Sequence, residues 1–332
     1  MKVFHARTVM TRLFLSFILI FAAGFAGAQT FPSKTVNVII GVAPGGTLDT
    51  LARQIAQGLT PLLKQSVVVE NVTGAGGLVG FQRLMKADAD GHTLNFSNMS
   101  LLIIPHMHPK GGFDPLADLA PVSGVATVPM VMAVSNKSGI KDLPSLIAHM
   151  RRNPGKVNLG NGGPGTTAHL SQALFLNIVK ADAQLIQYRG TGPVLADVMS
   201  GVVDGIIDQT VTLMPLHTSK RAHAIAVSTP RRLAQMPDVP TFAEGGVPEF
   251  DLRIWNGFLA PKGTPRPVLE RLAAAISQVI DSAEYKERVE KQLASEIPPP
   301  AERGPDAFRA LLEKDSARVA ALVKAIGLKP EN

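Results

Sequence analysis

Three glycine-rich loops hold the residues of this chain best suited to chemistry. Pro44-Gly45-Gly46, Gly74 to Gly77 and Gly160 to Gly165 each follow a short apolar run and lead into a helix or into small polar residues. A chain that leaves a strand and starts a helix in this way exposes unpaired backbone N–H groups at the positive end of the helix dipole. Such places bind anions without a cationic side chain. A tight strand-to-helix turn also requires glycine, and for any one loop that explanation suffices. Three of them at the carboxyl ends of strands point to a shared anion site in the crevice there.

Other chemistries fit less well. Gly160-Asn161-Gly162-Gly163-Pro164-Gly165 matches G-x-G-x-x-G after a strand, with Asp182 where a ribose-binding acid would be sought. Pro164 inside the loop and its place in the second half of the chain count against a nucleotide. His106 and His108 are bracketed by Pro105 and Pro109 with no acidic ligand adjacent, so they are read as a surface pair rather than a metal site. No G-x-S-x-G and no H-E-x-x-H occurs, and without cysteine there is no thiol nucleophile and no thiolate metal site. His169 follows Thr166-Thr167 in the first turn of a helix, where its ring could donate to a carboxylate or simply pack. Thr166 falls at or beside the N-cap of that helix. Amides and hydroxyls can hold a carboxylate, but no paired acid and base stands beside them. The expectation is a binding protein, not an enzyme, with no catalytic residue, metal or cofactor.

The elements that must carry these loops alternate. Val36 to Ile40 reads as a buried strand, and after the first loop Leu48, Leu51, Ala52, Ile55, Ala56, Leu59, Leu62 and Leu63 recur at helical spacing. Val67 to Glu70 is a second strand, followed by the glycines at 74 to 77 and a short helix to Lys86. The same pattern restarts after about residue 125. Val131 to Val134 reads as a strand, Leu143 to Arg152 as a helix, Val157 to Leu159 as a strand, and the third loop opens a helix through Val179. Ala224 to Val227 is a further strand, and Leu269 to Ile280, Ala283 to Leu293 and Ala307 to Ile326 read as surface helices. Strand, loop and helix in alternation predict an α/β fold with open parallel sheets.

Lys2, Arg7 and Arg12 precede the apolar run Leu13 to Phe25, which ends in Ala26-Gly27-Ala28. That order predicts a signal peptide at 1–28, cleaved after Ala28, and a soluble periplasmic protein beginning at Gln29. The absence of cysteine removes both disulfides and a lipid attachment point. The formal charge of +7 falls to +4 once the three basic residues leave, and no basic stripe with interleaved aromatics exists. Nucleic acid is therefore not an expected partner. About 300 residues exceed what one core usually organises, so two domains are expected.

From Phe31 to Pro330 the sequence resembles the Bug family of periplasmic receptors, the solute-binding components of tripartite tricarboxylate transporters. The resemblance rests on Phe31-Pro32-Ser33-Lys34, Pro44-Gly45-Gly46 with Asp49, Val68-Val69-Glu70-Asn71, Gly74-Ala75-Gly76-Gly77 and Asp90-Gly91-His92-Thr93-Leu94. Further on it rests on Gly165-Thr166-Thr167-Ala168-His169-Leu170, Tyr188-Arg189-Gly190-Thr191-Gly192-Pro193, Asp238-Val239-Pro240-Thr241 and Trp255-Asn256-Gly257-Phe258. It implies a two-domain periplasmic-binding-protein fold of type II with two interdomain crossovers. Domain 1 would take residues 29–127 plus 250–332, and domain 2 residues 128–249. The implied ligand is a dicarboxylate, a tricarboxylate or an aromatic acid. Carried over by position, the pocket takes Gly46, Thr47, Asp49, Gly76, Gly77, Ser97, Asn98 and Ser100 from the first domain. The second supplies Thr166, Thr167, His169, Tyr188, Arg189, Gly190, Thr191 and Asp208. The first loop departs from the family's Pro-Gly-Gly-Gly-Thr-Asp in reading Pro44-Gly45-Gly46-Thr47-Leu48-Asp49, and Leu48 is expected to face the core. The implied partners are inner-membrane permease subunits, with a monomeric receptor. A receptor presenting its ligand to a sensor kinase would share the same site.

Overall fold

The computed structural model describes residues 31–330, so the segment on which the export reading rests lies outside the described residues. Val36–Ile40 (β1) is buried at four of its five residues, and Thr47–Leu63 (α1) buries the apolar face that its spacing requires. Val67–Asn71 (β2) alternates half-buried and exposed residues, as an edge strand does. A single 3-10 turn at Ala75–Gly77 then leads into Leu78–Met85 (α2), followed by Thr93–Asn98 (β3), Ser100–Met107 (α3) and Pro115–Asp118 (α4).

Next comes a sixteen-residue strand, Leu119–Val134 (β4), of which the sequence pattern shows only the last four residues. Its first part hides behind Pro121 and Pro129, which normally argue against a central strand. The ladder slips register between Pro121 and Ser123, which accommodates the first, and again between Gly124 and Ala126, whereas Pro129 pairs in register with Arg253 at the end of its ladder with β9.

The chain continues through Leu143–Arg152 (α5), Asn158–Asn161 (β5), Thr167–Val179 (α6), Gln184–Gln187 (β6), Thr191–Ser200 (α7), Gly205–Gln209 (β7) and Thr210–Thr218 (α8). His223–Val227 (β8), Arg253–Pro261 (β9), Arg266–Asp281 (α9), Ala283–Lys286 (α10) and Gly304–Ala325 (α11) complete it. The helix expected from Ala283 to Leu293 stops at Lys286 and loosens into a π turn over Glu287–Gln292. The chain there turns to meet other elements: Leu293 O accepts from Thr210 Oγ1 at 2.7 Å, and Thr127 and Glu296 exchange backbone bonds.

The strands run in the order β2-β1-β3-β9-β4-β7-β5-β6, with β8 also on β4. Parallel pairs, β1 with β2 and β3, and β5 with β6 and β7, flank an antiparallel centre built on β4. Residues 119–129 of β4 pair with β9, whereas Met130 to Val134 pair with β7 and β8. One strand thus passes from one ladder into the other. The strands β1, β3, β5, β6 and β7 each lead at their carboxyl ends into a helix.

Candidate anion-binding site

Five of those helix starts converge on one cavity. Its walls are Val42, Gly46, Thr47 and Leu48 at α1, Asn98 and Ser100 at α3, and Gly162 with Thr166 to Ala168 at α6. Gly190 and Thr191 at α7 and Asp208 and Gln209 at α8 close it. About 30 Å³ is open to the centre of a water-sized sphere. A water needs about 10–15 Å³ by that measure, so the space suits a group the size of a carboxylate. No cationic side chain lines it. What favours an anion there is the helix ends: Gly46, Gly190 and Gln209 stand at N-caps with no side-chain cap, leaving the first-turn N–H groups uncapped.

Each wall is held by its own local bonds. Thr166 caps α6, accepting from His169 N at 3.4 Å and donating its hydroxyl to Gly163 O at 2.6 Å. Behind it, Asn161 Oδ1 accepts from Gly163 N at 2.9 Å, Asn161 Nδ2 donates to Gln172 Oε1 at 3.0 Å, and Gln172 Nε2 donates to Gly160 O at 2.7 Å. Asn98 Oδ1 accepts from Ser100 N at 3.0 Å at the start of α3. Asn256 on β9 donates to Gln209 Oε1 at 3.1 Å, tying the α8 start to the other ladder. The hydroxyl of Thr47 is buried against the cavity and has no hydrogen-bond partner among the described residues.

Asp208 is the one titratable side chain lining the cavity. Burial pushes its carboxyl up to about 6, against the bonds it accepts from Gln209 N–H and the hydroxyls of Thr191 and Thr212.

The remaining residues carried over by resemblance lie elsewhere. Gly76, Tyr188 and Arg189 line an adjoining cleft of about 450 Å³, which shares Val42 and Gly162 with the inner cavity. Tyr188 OH donates to Asp197 Oδ2 at 2.5 Å, and burial together with that carboxylate raises its pKa to about 12. Asp49 faces away from the cavity walls and braces the first loop, accepting from Gly45 N at 3.2 Å, Arg53 Nε at 3.0 Å and Asn71 Nδ2 at 3.1 Å. Burial pushes Asp49 up, but those bonds outweigh it and hold the carboxyl below its ordinary value. Gly77 packs against Gly41, where a Cβ on Gly41 would come within 2.6 Å of Gly77 Cα. Ser97 is buried in β3 opposite Gly257. His169 lines a separate cleft with Met107 and the segment 326–329, and burial lowers its pKa. Asp182 lines that same cleft, away from the glycine loop it was weighed with.

Leu48, expected to face the core, is buried at 7% exposure and also lines the cavity, because α1 begins at Thr47 and its first turn faces the other helix starts. Gly162 belongs to the third glycine loop already named for the anion site, whereas Val42, Ala168 and Gln209 were missed. For Gln209 the signal is weak, since no glycine or cap residue marks the junction of β7 with α8.

The first loop and the α7 start meet through missing side chains. A Cβ on Gly192 would lie 2.1 Å from Pro44 O, one on Gly190 2.6 Å from Ala43 N, and one on Gly76 1.9 Å from Pro164 O. Across the same seam Ala43 N donates to Arg189 O at 3.0 Å.

The model of the tripartite tricarboxylate transporter family receptor, TctC, matches residues 51–328. The chain belongs to this family. BugT of Bordetella pertussis is 34% identical over 326 residues, covering 96% of this chain and 99% of BugT. Among solved structures, the periplasmic binding protein BugD has a TM-score of 0.86 at 30% identity, over 91% of this chain and all (100%) of that one. MatC from Rhodopseudomonas palustris, solved with bound malate, has a TM-score of 0.84 at 31% identity, over 88% and 100%. This TctC-family chain therefore has the α/β periplasmic-binding-protein fold and is a binding protein rather than an enzyme.

Proposed function

We propose that this TctC-family receptor captures a small di- or tricarboxylate, or an aromatic acid, in the periplasm and delivers it to the membrane subunits of a tripartite tricarboxylate transporter. The observation that carries this reading is the convergence of five helix N-termini, with free or weakly used hydroxyls and no cation, on a cavity sized for a carboxylate. Malate in the related MatC agrees with that class of ligand. One carboxylate would enter the inner cavity against Thr47, Thr167 and Thr191, and the body of the acid would run past Val42 and Gly162 toward Tyr188 and Arg189. Leu48 offers an apolar wall to that body. The domains would be 29–127 with 250–332, and 128–249, a division supported by the change of strand partners on β4 after Pro129. Each domain holds part of the site, so binding favours the closed arrangement. Export would follow cleavage after Ala28.

Calorimetric titration with a panel of acids including malate, adipate and benzoate tests the reading. It expects at least one acid to bind with micromolar affinity or better. No binding by any member would remove it. Thr166→Asp is a poor probe, although the N-cap position by itself admits Asp, because the new carboxylate would face Gly163 O where the Thr166 hydroxyl now donates.

A further inference from the structure

Asp208 is an unusual lining for an anion site. It is the penultimate residue of β7, is 2% exposed, and its carboxyl is held by neutral donors alone, with Thr212 Oγ1 at 3.3 Å from Oδ2. No charged group faces it from the elements around it. α7 brings Thr191, while its Asp197 is bonded to Tyr188 OH. α8 brings Thr212, and β4 brings Val131, its register partner. α1 brings Thr47 and Leu48, with Asp49 paired to Arg53 and Asn71 instead. α6 brings Thr166 and Thr167, its His169 lying in the other cleft, and α3 brings Ser100.

The converging helix ends therefore act on one anion of the protein's own. A ligand carboxylate adds a second negative charge inside a cavity of about 30 Å³. Two carboxylates that share such a site do not both stay ionised; they keep one proton between them. We propose that Asp208 meets the ligand as a carboxylic acid, donating its proton in a hydrogen bond to the ligand's carboxylate, so that capture near neutral pH takes one proton from solvent along with the anion. The proton goes to an Asp208 carboxyl oxygen, and no other bond changes. Burial, which already pushes the Asp208 carboxyl upward in the empty protein, acts in the same direction. The inference rests on the proposed carboxylate capture and adds a requirement to it: the bound group is an anion that accepts a proton-bearing hydrogen bond, not an alcohol or an amine.

The test is titration of the mature protein at pH 7.5 with malate, adipate and benzoate, all ionised there, in phosphate and in Tris. These buffers differ in their heats of ionisation, so the difference in binding heat counts protons. Uptake close to one proton is expected, with affinity falling about tenfold per pH unit between pH 7 and 8.5. Asp208→Asn keeps a donor but has no proton to exchange. It should show no uptake and a flat pH profile, and should bind more tightly than the unaltered protein at pH 8.5, with thermal unfolding reporting that it is folded. Equal heats in the two buffers and a flat profile for an unaltered protein that binds would overturn the proton linkage and leave carboxylate capture standing. Absence of binding by all three acids would overturn both.

Discussion

The loop at 41–47 and the loop at 160–166 look alike in sequence, each a glycine run between a strand and a helix that opens with threonine, yet they are built on different terms. The second is fixed from within. Asn161, Gln172 and the Thr166 hydroxyl satisfy its backbone through buried bonds. The first is braced from outside by Asp49 and by Asn71, whose Nδ2 also donates to Val42 O at 3.0 Å, and its inner side is completed by the α7 start. Its Thr47 hydroxyl keeps no partner among the described residues. A hydroxyl already committed to its own loop is structural, while an uncommitted buried one has something to give a ligand. On the proposed reading, the same motif gives a rigid wall on one side and a receptive wall on the other.

The seam offers the hardest test of that contrast. Gly192→Ala puts a Cβ where Pro44 O lies 2.1 Å away, a clash felt when the first loop and α7 come together. Overpacking of this kind costs about 1–3 kcal/mol, or on the order of tenfold to a hundredfold in affinity. Ala is the better helix former, and Pro193 trims that gain, so unfolding temperature should change little. Scattering in the presence of the acid should show a more open protein, and unchanged affinity would mean the seam does not govern closing.

Asn161→Ala attacks the rigid wall instead. It leaves Gln172 Oε1 and Gly163 N–H buried without partners, which costs about 2–3 kcal/mol. Denaturant unfolding should register this as a lower midpoint with an unaltered slope. A neutral result would show that the network is not what holds the loop.

Thr47→Val addresses the receptive wall and should separate stability from binding. The isosteric change removes a buried hydroxyl with no partner, so the empty protein should be as stable or slightly more stable. Affinity should drop by about tenfold to a hundredfold, the worth of one hydrogen bond to a charged group. Equal affinity for the two proteins would remove Thr47 from the site. Thr166→Ser, which keeps both bonds of the cap, is the control that should bind normally.

The smallest effect belongs to the outer brace. Against the upward push of burial, the bonds that Asp49 accepts hold its folded pKa below the ordinary aspartate value of 3.8, so its contribution is present above that value and is lost as pH falls through the folded pKa. Asp49→Asn should therefore unfold at a lower temperature than the unaltered protein at pH 7, with the gap narrowing toward pH 3. A gap that stays constant across that range would mean the charge on Asp49 is not what matters.

By itself the sequence determined part of the local record: five of the strand runs, that glycine loops join strands to helices, and the extent of α5, whose start Asp142 and Ser145 mark with a capping box; β3, β6, β7 and β9 carried no pattern that set them apart. The family's motifs lie in that same local record, and with them the class of fold. Tertiary structure decided the rest. The full length of β4 depends on register slips beside Pro121 that only its partner β9 makes possible. Whether Leu48 faces a core or a cavity, and whether a threonine is spent on its own loop or left free, depends on which other helix starts arrive opposite. Asp208 enters the sequence reading only through the family resemblance, as one of sixteen pocket residues, and it becomes the only titratable wall of the cavity because five helix ends from distant parts of the chain close around it. Periodicity records the angle between neighbouring residues, whereas burial and partner choice are set by contacts far apart in the chain.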